Sequence, residues 1–198
     1  KDRAAALLVN AFNDLQAKDY IKLNAGALIE TPILTTKIEN NGHANITVNK
    51  ASLKTYGNSV FNAKTDLDLD ATTNMSIYGV AGIAHGVAVV NSTNTNNVTL
   101  NAGADVFSLG NTNIGLTQPI NVLDFSGKEL YPRAEVNLLA KTQIWNRTVV
   151  PVSADSYAKV DHKTTDNVNI QKGATLRSGT NVNIDTGTPI EKSEGIFD

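Results

Sequence analysis

The sequence predicts an all-β fold, a right-handed parallel β-helix (β-solenoid), and three of its features lead to that prediction. One stretch of the chain repeats another, apolar residues alternate with polar ones in short runs, and corners rich in Asn and Gly separate the runs. Self-similarity at a fixed spacing is the sequence signature of repeat architectures. Alternation puts every second side chain on the same face of a strand. Together these features indicate coils of chain that stack on one another.

The repeat is the strongest of the three features. Residues 86–116 align without gaps on residues 156–186, at an offset of 70 residues. The centres of the two copies read NVTLNAGADVFS and NVNIQKGATLRS, and the identical pairs include Ala88/Ala158, Val90/Val160, Asn97/Asn167, Val98/Val168, Gly103/Gly173, Ala104/Ala174, Ser108/Ser178 and Ile114/Ile184. The shared pattern is a strand, a polar corner with Gly, and a second strand introduced by Ala.

Two further stretches are similar to the centre of the repeat, IKLNAGALI at 21–29 and the shorter ITVNKASL at 46–53. Because residues two apart share a strand face, their apolar positions are predicted to point inward. The predicted core contains Ile21, Leu23, Ala27, Ile29, Val98, Leu100, Ala104, Val106, Val168, Ile170, Ala174 and Leu176. Gly26, Gly103 and Gly173 are predicted to lie at corners, where glycine permits a positive φ or a close approach of the backbone.

The predicted coils contain roughly 20 to 30 residues each, which gives about seven or eight coils and makes the offset about three coils. They divide the chain into an N-terminal segment (1–19), coils (20–118), a protruding loop (119–133), further coils (134–188) and an irregular C-terminal tail (189–198). In the N-terminal segment the apolar spacing fits a short helix and a first strand equally well. Since each coil buries its apolar face only against its neighbours, we expect this to be a segment of a longer repeat protein.

Composition excludes several classes of function. The formal net charge is −2, so no basic field exists to attract nucleic acid. No stretch approaches the roughly 18 apolar residues that a membrane span needs, so membrane insertion is not expected. The chain has no Cys, which excludes disulfides, thiolate metal sites and a cysteine nucleophile. About two dozen residues are Asn, which is typical of a protein rich in turns.

The sequence contains no nucleotide-binding glycine loop and no nucleophile motif, and no cofactor is predicted from such motifs. His43, His85 and His162 stand far apart and are predicted to be surface residues rather than zinc ligands. The lone Trp145 is interpreted as a structural anchor in preference to an exposed ring that stacks on a sugar.

The one candidate metal site is acidic. Asp66, Asp68 and Asp70 alternate with apolar residues, which places three carboxylates on one strand face. Calcium prefers such arrays of hard oxygen ligands. A solvated strand face is the favoured interpretation, because the acidic, glycine-rich nonapeptide of calcium-binding β-rolls is absent.

The repeat units NVTLNAGADVFS and NVNIQKGATLRSGTNVNID resemble those of large filamentous adhesins of the filamentous haemagglutinin and leukotoxin-like type. In that family an alternating strand with Ala leads to V-x-I-x-x-G-A-x-V-x-S and then to a D-I-x-L-x-A strand. The last element is imperfect at 112–116 and 181–185 and clearer at 66–71. The resemblance implies a secreted, extracellular protein displayed at the cell surface, and it names no receptor.

Three functions agree with these expectations. The first is a structural and adhesive rod, whose partners are further solenoid of the same or another chain and the surface glycans or proteins of a host or neighbouring cell. The second is a self-assembling subunit of a sheath, surface layer or extracellular fibre. The third is a β-helical polysaccharide lyase or hydrolase, since such enzymes share the fold. The non-enzymatic rod is favoured, because the charged residues are scattered along the sequence.

Overall fold

The computed structural model describes residues 6–115, 134–152, 155–186 and 190–198. These residues form twelve strands and no helix, which confirms the predicted all-β class. The strands are β1 (Ala6–Glu30), β2 (Ile33–Val48), β3 (Ser52–Thr55), β4 (Asn58–Ile83), β5 (His85–Leu100), β6 (Asp105–Ser108), β7 (Thr112–Ile114), β8 (Glu135–Val152), β9 (Tyr157–Ile170), β10 (Thr175–Ser178), β11 (Val182–Ile184) and β12 (Ile190–Phe197).

The strands form three sheets, and each pairing between the described strands is parallel. The first sheet contains β1, β4, β7, β8, β11 and β12, the second contains β2, β5 and β9, and the third contains β3, β6 and β10. The chain visits the first, second and third sheets in that order and then returns to the first. We call one such circuit a coil.

Each coil lies directly on the preceding one. Asn45 and Asn97 are 52 residues apart and pair across β2 and β5. Asn97 and Asn167 are 70 residues apart and pair across β5 and β9. The offset found in the sequence is therefore one coil rather than three, and the prediction of seven or eight short coils is wrong. Long strands such as β4, with 26 residues, make each coil far longer than expected.

Extra residues in the third coil explain why the second offset is longer. The start of β4 pairs with β7, where Phe61 is opposite Ile114, and β4 pairs with β8 from Leu67 and Val136 onward. The stretch from Ile114 to Val136 thus contains many more residues than the stretch of β4 from Phe61 to Leu67, to which its two ends pair. The loop predicted at 119–133 falls in this interval and lies outside the described residues.

The described parts of both terminal segments are strands. β1 begins at Ala6, so the alternative of an N-terminal helix is not supported and the strand in the repeat frame is the structure found. Residues 190–197 form β12, which pairs in parallel with residues 135–142 of β8. The prediction of an irregular tail at 189–198 is therefore wrong, because β8 supplies backbone hydrogen-bond partners for this polar stretch.

The interior contains three apolar clusters. The first, around Phe61 and Leu100, lies where the three sheets meet. The second, around Leu69 and Val90, and the third, around Met75, lie between the first and second sheets. The alternation of buried and more exposed positions along β2 and β5 shows why these residues form strands: one face of each contributes to the clusters and the other faces outward.

Polar side chains separate the three clusters. Thr65 follows the first cluster along β4, and its hydroxyl donates to Asn96 Oδ1 of β5 at 2.8 Å. Thr73 lies between the second and third clusters, where its hydroxyl is 3.0 Å from that of Thr36 and donates to the Val87 carbonyl at 2.9 Å. These bonds satisfy buried polar groups and connect the first sheet to the second.

The corner between β5 and β6 is a tight four-residue turn. The Ala104 N–H donates to the Asn101 carbonyl at 3.0 Å, and Gly103 has a φ of 87°. The next coil repeats the turn at 171–174, where Gly173 has a φ of 92°. A positive φ at the third residue is the requirement of a type II turn, and glycine meets it without steric cost.

The prediction that Gly26 lies at a corner is wrong. The stretch 21–29 lies within β1, where Gly26 pairs with Tyr78 of β4. Among the described residues a positive φ occurs at Gly103, Gly115 and Gly173, and not at Gly26. The similarity of 21–29 to the true corners is one of local composition, not of position in the coil.

We expect Gly103→Ala to lower the free energy of unfolding by about 1–2 kcal/mol, the cost of a left-handed backbone conformation for an L-residue. The added Cβ would also approach Lys50 Cγ to 3.1 Å. Denaturant unfolding measures the effect. Gly26→Ala is the matched control, because its Cβ would meet the Tyr78 carbonyl oxygen at an ordinary 3.5 Å. Equal losses in the two variants would contradict the assignment of the corner.

Candidate functional site

Burial of the predicted core residues decreases toward the ends of the stack. Val98, Leu100, Ala104 and Val106 are between 0% and 2% exposed. Their counterparts one coil later are less covered: Val168, Ala174 and Leu176 are half-buried, and Ile170 is 36% exposed. In β1, at the opposite end, Ile21 and Leu23 are half-buried, and Ala27 and Ile29 are exposed. The inward face therefore continues to both ends without being covered there.

Both ends of the stack present open strand edges. β1, β2 and β3 form one end, and β9, β10, β11 and β12 form the other. Each of these seven strands pairs along a single edge within the described chain. The inward-facing Ile184 and Phe197 are 51% and 60% exposed at the second end. Open edges of this kind are templates for pairing with another strand, and proteins usually cover them.

Side-chain amides on the outer surface follow the stacking direction. Asn97 Nδ2 donates to Asn45 Oδ1 at 2.7 Å, and Asn167 Nδ2 donates to Asn97 Oδ1 at 2.9 Å. A second ladder joins Asn183 to Asn113 at 2.7 Å. Asn97 donates to the preceding coil and accepts from the following one, so a further coil with Asn at this position would extend the ladder unchanged.

Carboxylates gather on the outer face of the first sheet. Asp14 pairs with Asp66 across β1 and β4, and the Glu135 N–H of β8 lies 3.4 Å from Asp66 Oδ1. Burial raises the pKa of Asp66, and the neighbouring carboxylates of Asp14, Glu135 and Asp68 raise it further. The three acidic side chains thus form a row of like charges across three strands.

The calcium candidate residues do not converge on one point. Asp70 accepts a hydrogen bond from Thr72 Oγ1 at 2.6 Å and lies 3.0 Å from Lys18 Nζ. Burial would raise the pKa of Asp70, but the bonds from Thr72 and Lys18 outweigh it and hold the pKa below its usual value. In the described ranges no three His, Cys, Asp or Glu side chains are placed to hold a metal ion. Asp66 and Asp68 lie beside Asp70 on a partly solvated strand face.

An open groove of about 360 Å³ crosses the first sheet farther along the strands, and we call it the aromatic groove. Its lining comes from three neighbouring strands: Lys22, Asn24, Asn74, Ser76, Tyr78, Trp145 and Arg147. Tyr78 is 46% exposed and Trp145 is 55% exposed. The Arg147 guanidinium lies 5.8 Å from the centre of the Trp145 ring, a cation–π distance. The lining combines two cations, two rings and three short polar side chains.

The interpretation of Trp145 as a structural anchor is therefore wrong. The inward positions of β8 include Val136, Leu138 and Ala140, and Trp145 has the opposite phase. Its ring consequently lies on the outer face of the sheet.

Two charged side chains meet inside the protein. Lys64 of β4 and Asp166 of β9 are 4% and 6% exposed, and Lys64 Nζ is 3.9 Å from Asp166 Oδ2. Asn96 Nδ2 donates to Asp166 Oδ1 at 2.7 Å. Burial lowers the pKa of Lys64, and the Asp166 and Asp185 carboxylates oppose that effect. The sequence carried one signal for this site, the position of Asp166 two residues before the inward Val168.

His162 is also an inward residue, so the prediction of a surface histidine is wrong at this position. Its side chain is 9% exposed, and Nε2 is 2.9 Å from Thr164 Oγ1 and 3.5 Å from Glu191 Oε1. The reason is phase, since His162 shares the inner face of β9 with Val160. His43 is exposed.

Comparison of the chain with protein-family models, with curated proteins and with solved structures gives no match. Within the described ranges, no helix is long and apolar enough to cross a membrane.

We expect Asp66→Asn to raise stability near neutral pH, because like charges directly opposite one another destabilise a sheet by about 0.2–1 kcal/mol. The pKa of Asp66 in the folded protein is raised above 3.8, so the wild type should gain stability as pH falls through that raised pKa. The gain should be complete below the unfolded pKa, and the variant should lack it. Thermal unfolding across the acidic range measures both effects.

Asp68→Asn is the control for this prediction. Its partners on the neighbouring strands are Gln16 and Asn137, neither of which is charged. The Asp68→Asn substitution should change the stability of the protein little. A gain in stability larger than that of Asp66→Asn would refute the like-charge explanation.

Proposed function

We propose that the chain is one segment of an extended right-handed β-helix, a structural and adhesive rod in a secreted filamentous protein of the cell surface. The observation that carries this proposal is the pair of open ends, where seven strands of the described chain each have one unpaired edge. The resemblance of the repeat units to those of filamentous haemagglutinin and leukotoxin-like adhesins supports the same assignment.

The length and composition of the end strands favour continuation. β1 has 25 residues, whereas typical strands have about 3–10, so its open edge leaves an unusually long row of backbone donors and acceptors. At the other end, apolar side chains such as Ile184 are exposed although their partners one coil earlier, such as Ile114, are fully buried. Covering them contributes about 25 cal/mol for each Å² of apolar surface removed from water. A further coil of the same polypeptide is the occupant that continues both the ladder and the core.

The enzymatic alternative finds less support. A shallow groove of about 230 Å³ on the first sheet contains Asp68, Asp70, Lys192 and Glu194. Asp70 and Glu194 each lie near a Lys, at 3.0 and 3.3 Å. The pKa of Asp70 is lowered by its bonds despite the opposing effect of burial, which disfavours its use as a general acid.

The aromatic groove is the surface that we assign to adhesion. Aromatic rings that present a face to solvent stack on the apolar faces of sugar rings, and the Asn and Ser side chains offer hydrogen bonds to hydroxyl groups. Among the described residues that line the groove, no carboxylate balances the two cations, Lys22 and Arg147. We therefore assign to it an oligosaccharide that carries acidic groups.

The open ends predict that the isolated chain associates end to end. We expect the sedimentation coefficient to rise with concentration, and the double variant Val182→Lys/Ile184→Lys to weaken this association. Both residues lie in β11, at the edge of the stack, and are 42% and 51% exposed. Charged side chains on an edge strand oppose pairing with another strand.

Val80→Lys is the control for association. Val80 is 49% exposed on β4, a strand with a neighbour on each side, so the substitution should leave association unchanged. A compact monomer at all concentrations would overturn the rod. Electron microscopy of material from the native source separates the two filament models: lengths that do not depend on concentration indicate one continuous polypeptide, and lengths that do indicate self-assembly of copies.

The groove assignment predicts that Trp145→Ala weakens binding to immobilised acidic oligosaccharides at least tenfold, a loss of about 1.4 kcal/mol. Tyr157→Ala is the control, because Tyr157 is a comparably exposed ring, 48%, on the second sheet outside the groove. Equal binding by the two variants would show that the groove is not the site at which the oligosaccharide binds. If binding does not depend on the charge of the sugar, the two cations do not contribute, and the aromatic rings alone recognise the oligosaccharide.

A further inference from the structure

A buried cation and a buried carboxylate meet between the first sheet and the second. Lys64 lies in residues 62–66 of β4, between the part that pairs with β7 and the part that pairs with β8. Asp166 lies in β9, next to the strand β5 that carries Asn96. The two side chains are 4% and 6% exposed, and Nζ is 3.9 Å from Oδ2. Both groups are therefore withdrawn from water.

One oxygen of Asp166 lacks a hydrogen bond. Oδ1 accepts a hydrogen bond from Asn96 Nδ2 at 2.7 Å. The buried Oδ2 has no hydrogen-bond partner in the part of the chain that the structure describes, and at 3.9 Å Lys64 Nζ is too far to donate one. An unsatisfied buried carboxylate oxygen is rare and costly. The two groups thus approach each other closely without forming a hydrogen-bonded ion pair.

We infer that Lys64 and Asp166 form an intramolecular isopeptide bond, an amide between Nζ and Cγ. In this step the Nζ–Cγ bond forms and the Cγ–Oδ2 bond breaks. A hydrogen from the nitrogen joins the departing Oδ2 hydroxyl, and the two leave as water. Oδ1 becomes the amide carbonyl oxygen and keeps its hydrogen bond from Asn96. The amine and the carboxylic acid thus give an amide and water, with no oxidant and no co-substrate.

The surroundings of the pair favour each part of this step. Burial lowers the pKa of Lys64, which increases the fraction of neutral amine, the nucleophilic form. The Asn96 amide polarises the Cγ–Oδ1 bond and stabilises the negative charge that develops on Oδ1. Asp185 lines the same cavity, and its carboxylate, like that of Asp166, opposes the effect of burial on the pKa of Lys64.

The cavity around the pair disfavours the reverse reaction. Its lining combines apolar Ala63, Val98 and Val168 with polar side chains, and its free volume of about 10 Å³ is near the minimum for a single water molecule. In bulk water the solvation of ammonium and carboxylate opposes formation of an amide. Here that solvation is withdrawn from both ions, and the equilibrium shifts toward the uncharged product.

The bond would join β4 of the second coil to β9 of the third. It would connect the first sheet to the second and close a loop of about one hundred residues, a constraint that restricts the unfolded chain. The inference concerns a bond within the chain and does not rest on the proposed rod or on adhesion.

Intact mass spectrometry of the full, folded chain tests the bond. We expect a mass lower than that of the sequence by one water molecule. Trypsin should then release a branched peptide in which Lys64 is joined to residues 164–172. Lys64→Arg keeps the positive charge but should show the full sequence mass and melt at a lower temperature. Asp166→Asn should lose ammonia instead of water and reach the same final mass as the crosslinked wild type.

Lys159→Arg is the control, because Lys159 Nζ lies only 2.6 Å from Asp161 Oδ2 while both side chains are 57% exposed. This variant should still lose one water, since proximity without burial is not sufficient. The wild-type mass decides the question even if Lys64→Arg fails to fold. A folded wild type with the full sequence mass, or a branched peptide that joins other residues, would overturn the inference.

Discussion

Parallel register is the constraint on which the rest of this structure depends. Each residue lies beside the residue one coil away, so its environment is set by its partner as much as by its own chemistry. When Val98 pairs with Val168, the flanking Asn97 and Asn167 must align on the outside, and their amides form a ladder. The turns stack for the same reason, with the Gly103 N–H donating to the Gly173 carbonyl at 3.0 Å. Core, ladder and corner are consequences of one register.

The polar groups inside the stack make that register specific. A purely apolar interior would tolerate a shift by two residues, since inward residues would still face inward. Such a shift would move Thr73 away from Thr36 and Asn96 away from Asp166, leaving buried polar groups without partners. The penalty for each is about 1–3 kcal/mol. The polar side chains between the apolar clusters therefore fix the register between coils, which the alternating pattern alone does not specify.

The sequence was sufficient for strand class, inward phase and the corners of the repeat, because two adjacent coils retain identical residues such as Gly103 and Gly173. It was not sufficient for coil length. The first coil keeps the apolar alternation but few identities, and the composition of 21–29 resembles that of a corner although this stretch lies within β1. The alternating phase of the strands places Trp145 on the outer face and His162 on the inner face, as the structure does. Lys64 could not be found, because it reaches the interior from a position whose phase is outward.

The position of Lys64 connects the local chemistry to the stability of the stack. In a stack stabilised by nearest-neighbour contacts, a crosslink between coils opposes their separation, and Lys64 lies on β4 between its described pairings with β7 and β8. The buried pair lies there and links β4 to β9 through side chains rather than through the ladder. A covalent bond at this point would join the second coil to the third independently of the backbone hydrogen bonds. The inferred crosslink would hold two coils together through a bond that persists when backbone hydrogen bonds open, at the point where Lys64 Nζ and Asp166 Oδ2 approach to 3.9 Å.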